Sequence, residues 1–88
     1  MPSTMTLYKE LLMEILADYE ALLADGFEDA LIGYSNGTNT VAVYDYMHCI
    51  RILMEDDMTY EEAMDYMEYN VVNSYVGEKT PIFITLGL

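Results

Sequence analysis

Basic residues are almost missing from this chain. Lys9, Arg51 and Lys79 face 16 aspartates and glutamates, for a net charge of -13 over 88 residues. A surface this acidic repels DNA, RNA and anionic membranes at long range, so direct binding to nucleic acid or membrane is excluded as a function class. The same field draws in basic partners, including the nucleic-acid-binding grooves of other proteins, or it simply keeps the chain soluble. Cysteine is nearly absent too. Cys49 stands alone, so no internal disulfide can form and a reducing, cytoplasmic setting is expected. No apolar run approaches membrane-spanning length. The first ten residues lack the basic stretch and apolar core of a signal peptide, so none is expected. Repeats, linkers and low-complexity stretches are missing as well.

What is present is apolar. Hydrophobic residues make up 53% of the chain, with nine tyrosines and eight methionines. That is too much for a disordered acidic tail and enough for one small domain with a modest core, expected to span residues 1–88. A first helix is expected over about residues 4–24, ending where Gly26 can take the left-handed position. Its leucines, tyrosines and Ile15 spread over about half of the helix circumference, wider than one packed face requires. Such a helix is covered from two directions or shared with a second copy of the chain, which makes a homodimer an open alternative.

Two β-prone runs flank Asn36-Gly37-Thr38-Asn39 and predict a hairpin over about residues 30–44. Asp45 stands where a helix N-cap belongs, and a second helix is expected over about 46–56. Thr59-Tyr60-Glu61-Glu62 has the spacing of a capping box, which starts a third helix over about 59–72. Tyr60, Ala63, Met64, Met67 and Val71 form its apolar stripe. Pro81 suits the start of an edge strand, expected over about 81–86. The order α-β-β-α-α-β predicts an α+β domain with a three-stranded antiparallel or mixed sheet and helices on one face.

The stretch from Glu55 to Asn70 carries seven acids, three tyrosines, three methionines and no base. At 100° per residue, Glu61, Glu62, Asp65 and Glu68 fall within one arc of the third helix, with Tyr69 inside it. Glu55, Asp56 and Asp57 precede them at the turn between helices. Solvated helix faces usually mix both signs, and like charges at this spacing repel by a few tenths of a kcal/mol per pair. The face is either merely solvated, or its acids are expected to occupy positions that phosphates would take in a basic groove. Tyr69 or Tyr66 would supply the amphipathic anchor common at interfaces.

Other chemistry finds little support. "EDDMTYEE" lacks the calcium-loop spacing and its glycine, and His48 and Cys49 point about 100° apart on a helix, so no metal is expected. That divergence also spoils a nucleophile–base pair. "VGEKTP" has a glycine, a lysine and a threonine, but neither the spacing of a phosphate-binding loop nor a following helix. No catalytic residue and no cofactor are assigned.

From Asp29 to Phe83 the chain resembles a family of small proteins encoded by bacteriophages and prophages. The resemblance rests on Tyr44-Asp45, on Met58 to Ala63, on Asn70-Val71 and on Tyr75 to Pro81; the first helix lies outside it. It implies a phage origin and action inside a bacterial host. Phage genomes carry small acidic inhibitors of host restriction and CRISPR systems, some of which imitate DNA. By that analogy the expected partner is a basic nucleic-acid-binding host protein, a CRISPR effector or a restriction component. The expected contact residues are Glu55, Asp56, Asp57, Glu61, Glu62, Asp65, Tyr66, Glu68 and Tyr69. The alternative is a homo-oligomeric adaptor joined through the apolar face of the first helix.

Overall fold

A computed structural model describes residues 4–75 and 77–87. Val76, inside the expected turn, and residues 1–3 and 88 of the expected domain lie outside the described residues. The elements are α1 (Thr4–Asp18), a 3-10 turn (Glu28–Ala30), β1 (Leu31–Tyr34), β2 (Ala42–Asp45), α2 (Tyr46–Glu55), α3 (Tyr60–Tyr66) continued by a π-helical segment (Met67–Val72), and β3 (Ile82–Ile84). The order and the α+β class follow the sequence expectation. The sheet is mixed: β2 lies in the centre, antiparallel to β1 and parallel to β3. A parallel neighbour requires a crossover, which α2 and α3 supply.

One face of the sheet is dry. Leu31, Ala42 and Tyr44 join Leu12 and Leu16 of α1, Cys49, Ile50 and Leu53 of α2, and Ala63, Met67 and Val71 of the third helix in a single core. Val43 and Asp45 alternate with Ala42 and Tyr44 and are only half-buried, as the period-2 geometry of a strand requires. Tyr44 sits opposite Phe83 on the parallel neighbour. Their rings stack with centroids 5.4 Å apart and 20° between planes.

The first helix is shorter than expected. It stops at Asp18 rather than near residue 24, for two reasons. The first is a cap without glycine. Glu20 takes a left-handed conformation, φ 56°, its N–H donates to Ala17 O at 3.0 Å, and the Ala21 N–H donates to Leu16 O at 3.0 Å. This pair of bonds is a Schellman motif. The second is that the next residues spend their backbone groups on distant partners. The Leu22 N–H donates to Lys79 O at 3.2 Å, the Ala24 N–H donates to the Tyr44 hydroxyl at 2.8 Å, and Leu23 O accepts from the Tyr75 hydroxyl at 3.4 Å. Residues 22–24 therefore form a strap bound to Tyr44, Tyr75 and Lys79. Gly26 is left-handed as expected, φ 90°, but it serves the turn before the 3-10 segment.

The second helix ends the same way. Asp57 has φ 70°, its N–H donates to Met54 O at 3.2 Å, and the Met58 N–H donates to Leu53 O at 3.3 Å. Met58, the residue after the cap, packs half-buried against the core. An L-residue in this conformation costs roughly 1 kcal/mol that glycine avoids. Glu20→Gly and Asp57→Gly are each expected to stabilise the domain by about 0.5 kcal/mol, the larger unfolded-state entropy of glycine offsetting part of the gain. Urea unfolding followed by circular dichroism checks this, and destabilisation by either variant contradicts it.

The hairpin is also looser than Asn36-Gly37 suggested. β1 and β2 are joined through residues 35–41, closed by the Ser35 N–H donating to Val41 O at 2.9 Å. Gly37 is not at positive φ, so no tight two-residue turn forms. β3 is shorter than the expected 81–86, with buried Pro81 immediately before it.

Candidate functional site

The candidate surface is the outward side of α3 and its π-helical extension. Thr59 starts it as the sequence indicates: its hydroxyl accepts from the Glu62 N–H at 3.1 Å, and its own N–H donates to Glu62 Oε1 at 2.9 Å. The Thr59 N–H holds the Glu62 carboxyl below the usual carboxylate range, with the Thr59 side chain adding to the effect and slight desolvation opposing it. Glu62 is thus ionised and oriented, with one carboxylate oxygen committed to the cap. The cap's contribution is complete above the ordinary carboxylate pKa and is lost as pH falls through the lowered one.

Inside the helix, Ala63, Met67 and Val71 face the core. Tyr60 and Met64, expected on the same stripe, are exposed. The π-helical winding has a packing cause. Five residues at α-helical pitch would rotate Val72 about 140° from Met67, toward solvent. The wider i→i+5 turn brings Val72 back, half-buried against the core. The helix then ends on side chains. Asn73 Nδ2 donates to Glu68 O at 2.6 Å, and the Ser74 hydroxyl donates to Asn70 O and to Val71 O.

Every predicted contact residue is exposed: Glu55, Asp56, Asp57, Glu61, Glu62, Asp65, Tyr66, Glu68 and Tyr69. They do not form one uniform face. Glu62, Asp65, Tyr66 and Tyr69 come together with Met58 and Asn70 around a shallow groove of about 350 Å³. Tyr69 stands 79% exposed at its edge. Glu68 lies apart, in a second groove of about 330 Å³ with Tyr46, Met64, Val72, Phe83 and Thr85. Met58 and Asn70 belong to the stretches that carry the resemblance but not to the expected contact residues. Their signal was spacing, since Met58 precedes Glu62 and Asn70 follows Tyr66 by one helical turn. Asp57 has a second task as the left-handed cap of α2.

The Tyr46 hydroxyl beside the second groove is buried without a hydrogen-bond partner. Desolvation raises its pKa, and the Glu68 carboxylate adds to the rise.

Cys49 and His48 do not make a reactive pair. Cys49 is fully buried, and desolvation, with the Asp45 carboxylate adding to it, pushes the thiol up to about 12. A thiol so protected is inert. With intact protein at pH 8, a chromogenic disulfide reagent is expected to label no cysteine, then one once denaturant is added; rapid labelling of the native chain contradicts the packing. Asp45 meanwhile caps α2, accepting from the His48 N–H at 3.3 Å. Among the described residues, no three His, Cys, Asp or Glu side chains gather in a way that could hold a metal ion, and no helix is long and apolar enough to cross a membrane.

No protein-family model matches the chain, and neither a curated protein nor a solved structure does so.

Proposed function

We propose that this chain is a phage-type acidic binding protein that blocks the nucleic-acid-binding surface of a host defence protein in the bacterial cytoplasm. The observation that supports it most is the groove on α3, where Glu62 and Asp65 stand beside Tyr66 and Tyr69. Glu61 adjoins Glu62 in the chain, and Glu55, Asp56 and Asp57 are exposed in the turn that leads into α3. Exposed carboxylates with no interleaved base, one of them oriented by the Thr59 cap, offer a Lys/Arg-rich groove what a phosphate backbone offers. Tyr69, largely exposed, supplies apolar area and a hydroxyl at low entropic cost. Charge then sets the association rate, and the tyrosines much of the residence time.

The partner class is a CRISPR effector or a restriction component. Direct contact with nucleic acid or membrane is not part of the proposal, nor is any catalytic residue, cofactor or metal. The test is capture on the immobilised chain from lysate of bacteria carrying such systems, at about 0.05 M and about 0.5 M salt, where screening differs several-fold. The expected result is a nucleic-acid-binding protein retained at low salt and released at high salt. A partner that binds equally at both, or has no nucleic-acid site, overturns the proposal.

A further inference from the structure

A second surface lies on α1, away from the residues used above. Leu12 and Leu16 are buried in the core, but Leu7, Tyr8 and Leu11 are 53%, 57% and 56% exposed. Tyr8, Leu11, Leu12 and Ile15 form a groove of about 150 Å³ with Tyr34 of β1. At 100° per residue, Leu7, Leu11, Ile15 and Tyr8 lie within an arc of about 100°, a continuous apolar stripe that the domain does not cover. Large exposed apolar residues grouped in this way mark an interaction surface.

The charges beside the stripe select its occupant. Glu10, Glu14 and Asp18 are exposed and run along its solvent edge at i, i+4 and i+8. The lysine of this helix, Lys9, donates instead to Glu28 O at 2.9 Å. A second copy is a poor fit. Two copies packed antiparallel about a two-fold axis set like edges against each other, so the three acids would face themselves between chains each carrying -13. We infer that the α1 stripe receives an amphipathic helix of another protein, apolar on one side with lysine or arginine along its edge. Leu7, Tyr8, Leu11 and Ile15 would take the i, i+3, i+4, i+7 anchors of such a helix, and Glu10, Glu14 and Asp18 its basic edge.

The probe is a labelled Leu/Lys peptide of about 18 residues with that apolar spacing, compared with an isomer of the same composition whose leucines are scattered. Fluorescence anisotropy at about 0.15 M salt is expected to show the amphipathic peptide binding at least about tenfold tighter. Leu7→Ser/Leu11→Ser is expected to bring it down to the isomer. Both positions are exposed, so the variant should keep its circular dichroism spectrum. Glu61→Gln/Asp65→Asn on α3 is expected to leave the ratio between peptides unchanged, which separates this surface from the acidic groove. Equal binding of the two peptides, or full binding by the leucine variant, overturns the inference. So does a dimer seen by light scattering that Leu11→Ser disperses, since the stripe would then belong to a second copy.

Discussion

Tyr44→Ala is expected to remove more than half of the domain's stability at 25 °C. Tyr44 is 1% exposed at the centre of the sheet, stacked on Phe83, with its hydroxyl accepting from the Ala24 N–H. Truncating a buried aromatic residue costs roughly 3–5 kcal/mol, and stranding the Ala24 donor adds roughly 1–3 kcal/mol. A chain of this size has a total stability of about 4–13 kcal/mol. Tyr44→Phe separates the two contributions. It keeps the ring and removes only the acceptor, so a loss of about 2 kcal/mol and a fall in Tm of about 10 °C are expected. Thermal unfolding by circular dichroism measures both, and a Tyr44→Phe variant as stable as the parent would show that the strap at residues 22–24 is not held by this bond. The phenol also makes the fold sensitive to base. Burial raises the Tyr44 pKa above 10.0, with nearby Tyr75, Glu28 and Cys49 adding and the Ala24 hydrogen bond opposing. Its contribution is therefore complete below pH 10 and is lost as pH climbs through the raised value.

Reversing two acids on α3 is expected to cost the largest share of binding. Glu61→Lys/Asp65→Lys changes the acidic side of α3 by four units of charge, two of them at Asp65 in the groove. At roughly 0.7 kcal/mol per exposed unit the total is about 2.8 kcal/mol, or about a hundredfold in Kd at low salt. The structure explains why this pair is preferable to Glu62 or Asp57. Glu62 closes the capping box and Asp57 caps α2, so substituting either perturbs the fold along with the surface. Glu61 and Asp65 are exposed, and none of the hydrogen bonds described above involves their side chains. Either substitution of Glu61 gives up a favourable interaction with the helix dipole, roughly 0.3–1 kcal/mol; lysine adds repulsion at the same place, which the neutral pair Glu61→Gln/Asp65→Asn avoids. Binding isotherms for the three proteins should rank parent, neutral pair and reversed pair in that order. Unchanged affinity in the reversed pair would remove the acidic groove from the interface.

What could be read in the sequence was local chemistry. Asp45, Thr59 and Glu62 cap helices because their side chains bond to backbone groups within three residues, and that spacing is visible in a string of letters. Glu20 hid the end of α1 because glycine is the usual resident of the left-handed position, and here an acid occupies it. The strap was hidden more deeply, since its bonds to Tyr44, Tyr75 and Lys79 join residues far apart in the chain. Helical spacing alone extended α1 through it. The π-helical turn at Met67–Val72 answers to core packing, which periodicity does not encode. It accompanies the split of the acidic arc, with Glu68 in one groove and Glu62 and Asp65 in another. On α1 the wide apolar arc was legible; which part of it the domain keeps for itself was not. Leu12 and Leu16 proved to be core, and Leu7, Tyr8 and Leu11 were left outside.

The central claim is occlusion: the acids on α3 take the place of a nucleic acid. Fluorescence anisotropy of a labelled duplex DNA bound to the captured host protein tests it most directly. As the chain is titrated in, the account predicts that the DNA is released, with an apparent affinity that falls steeply with salt, and that Glu61→Lys/Asp65→Lys releases little. A stable ternary complex, with DNA retained while the chain is bound, would contradict it.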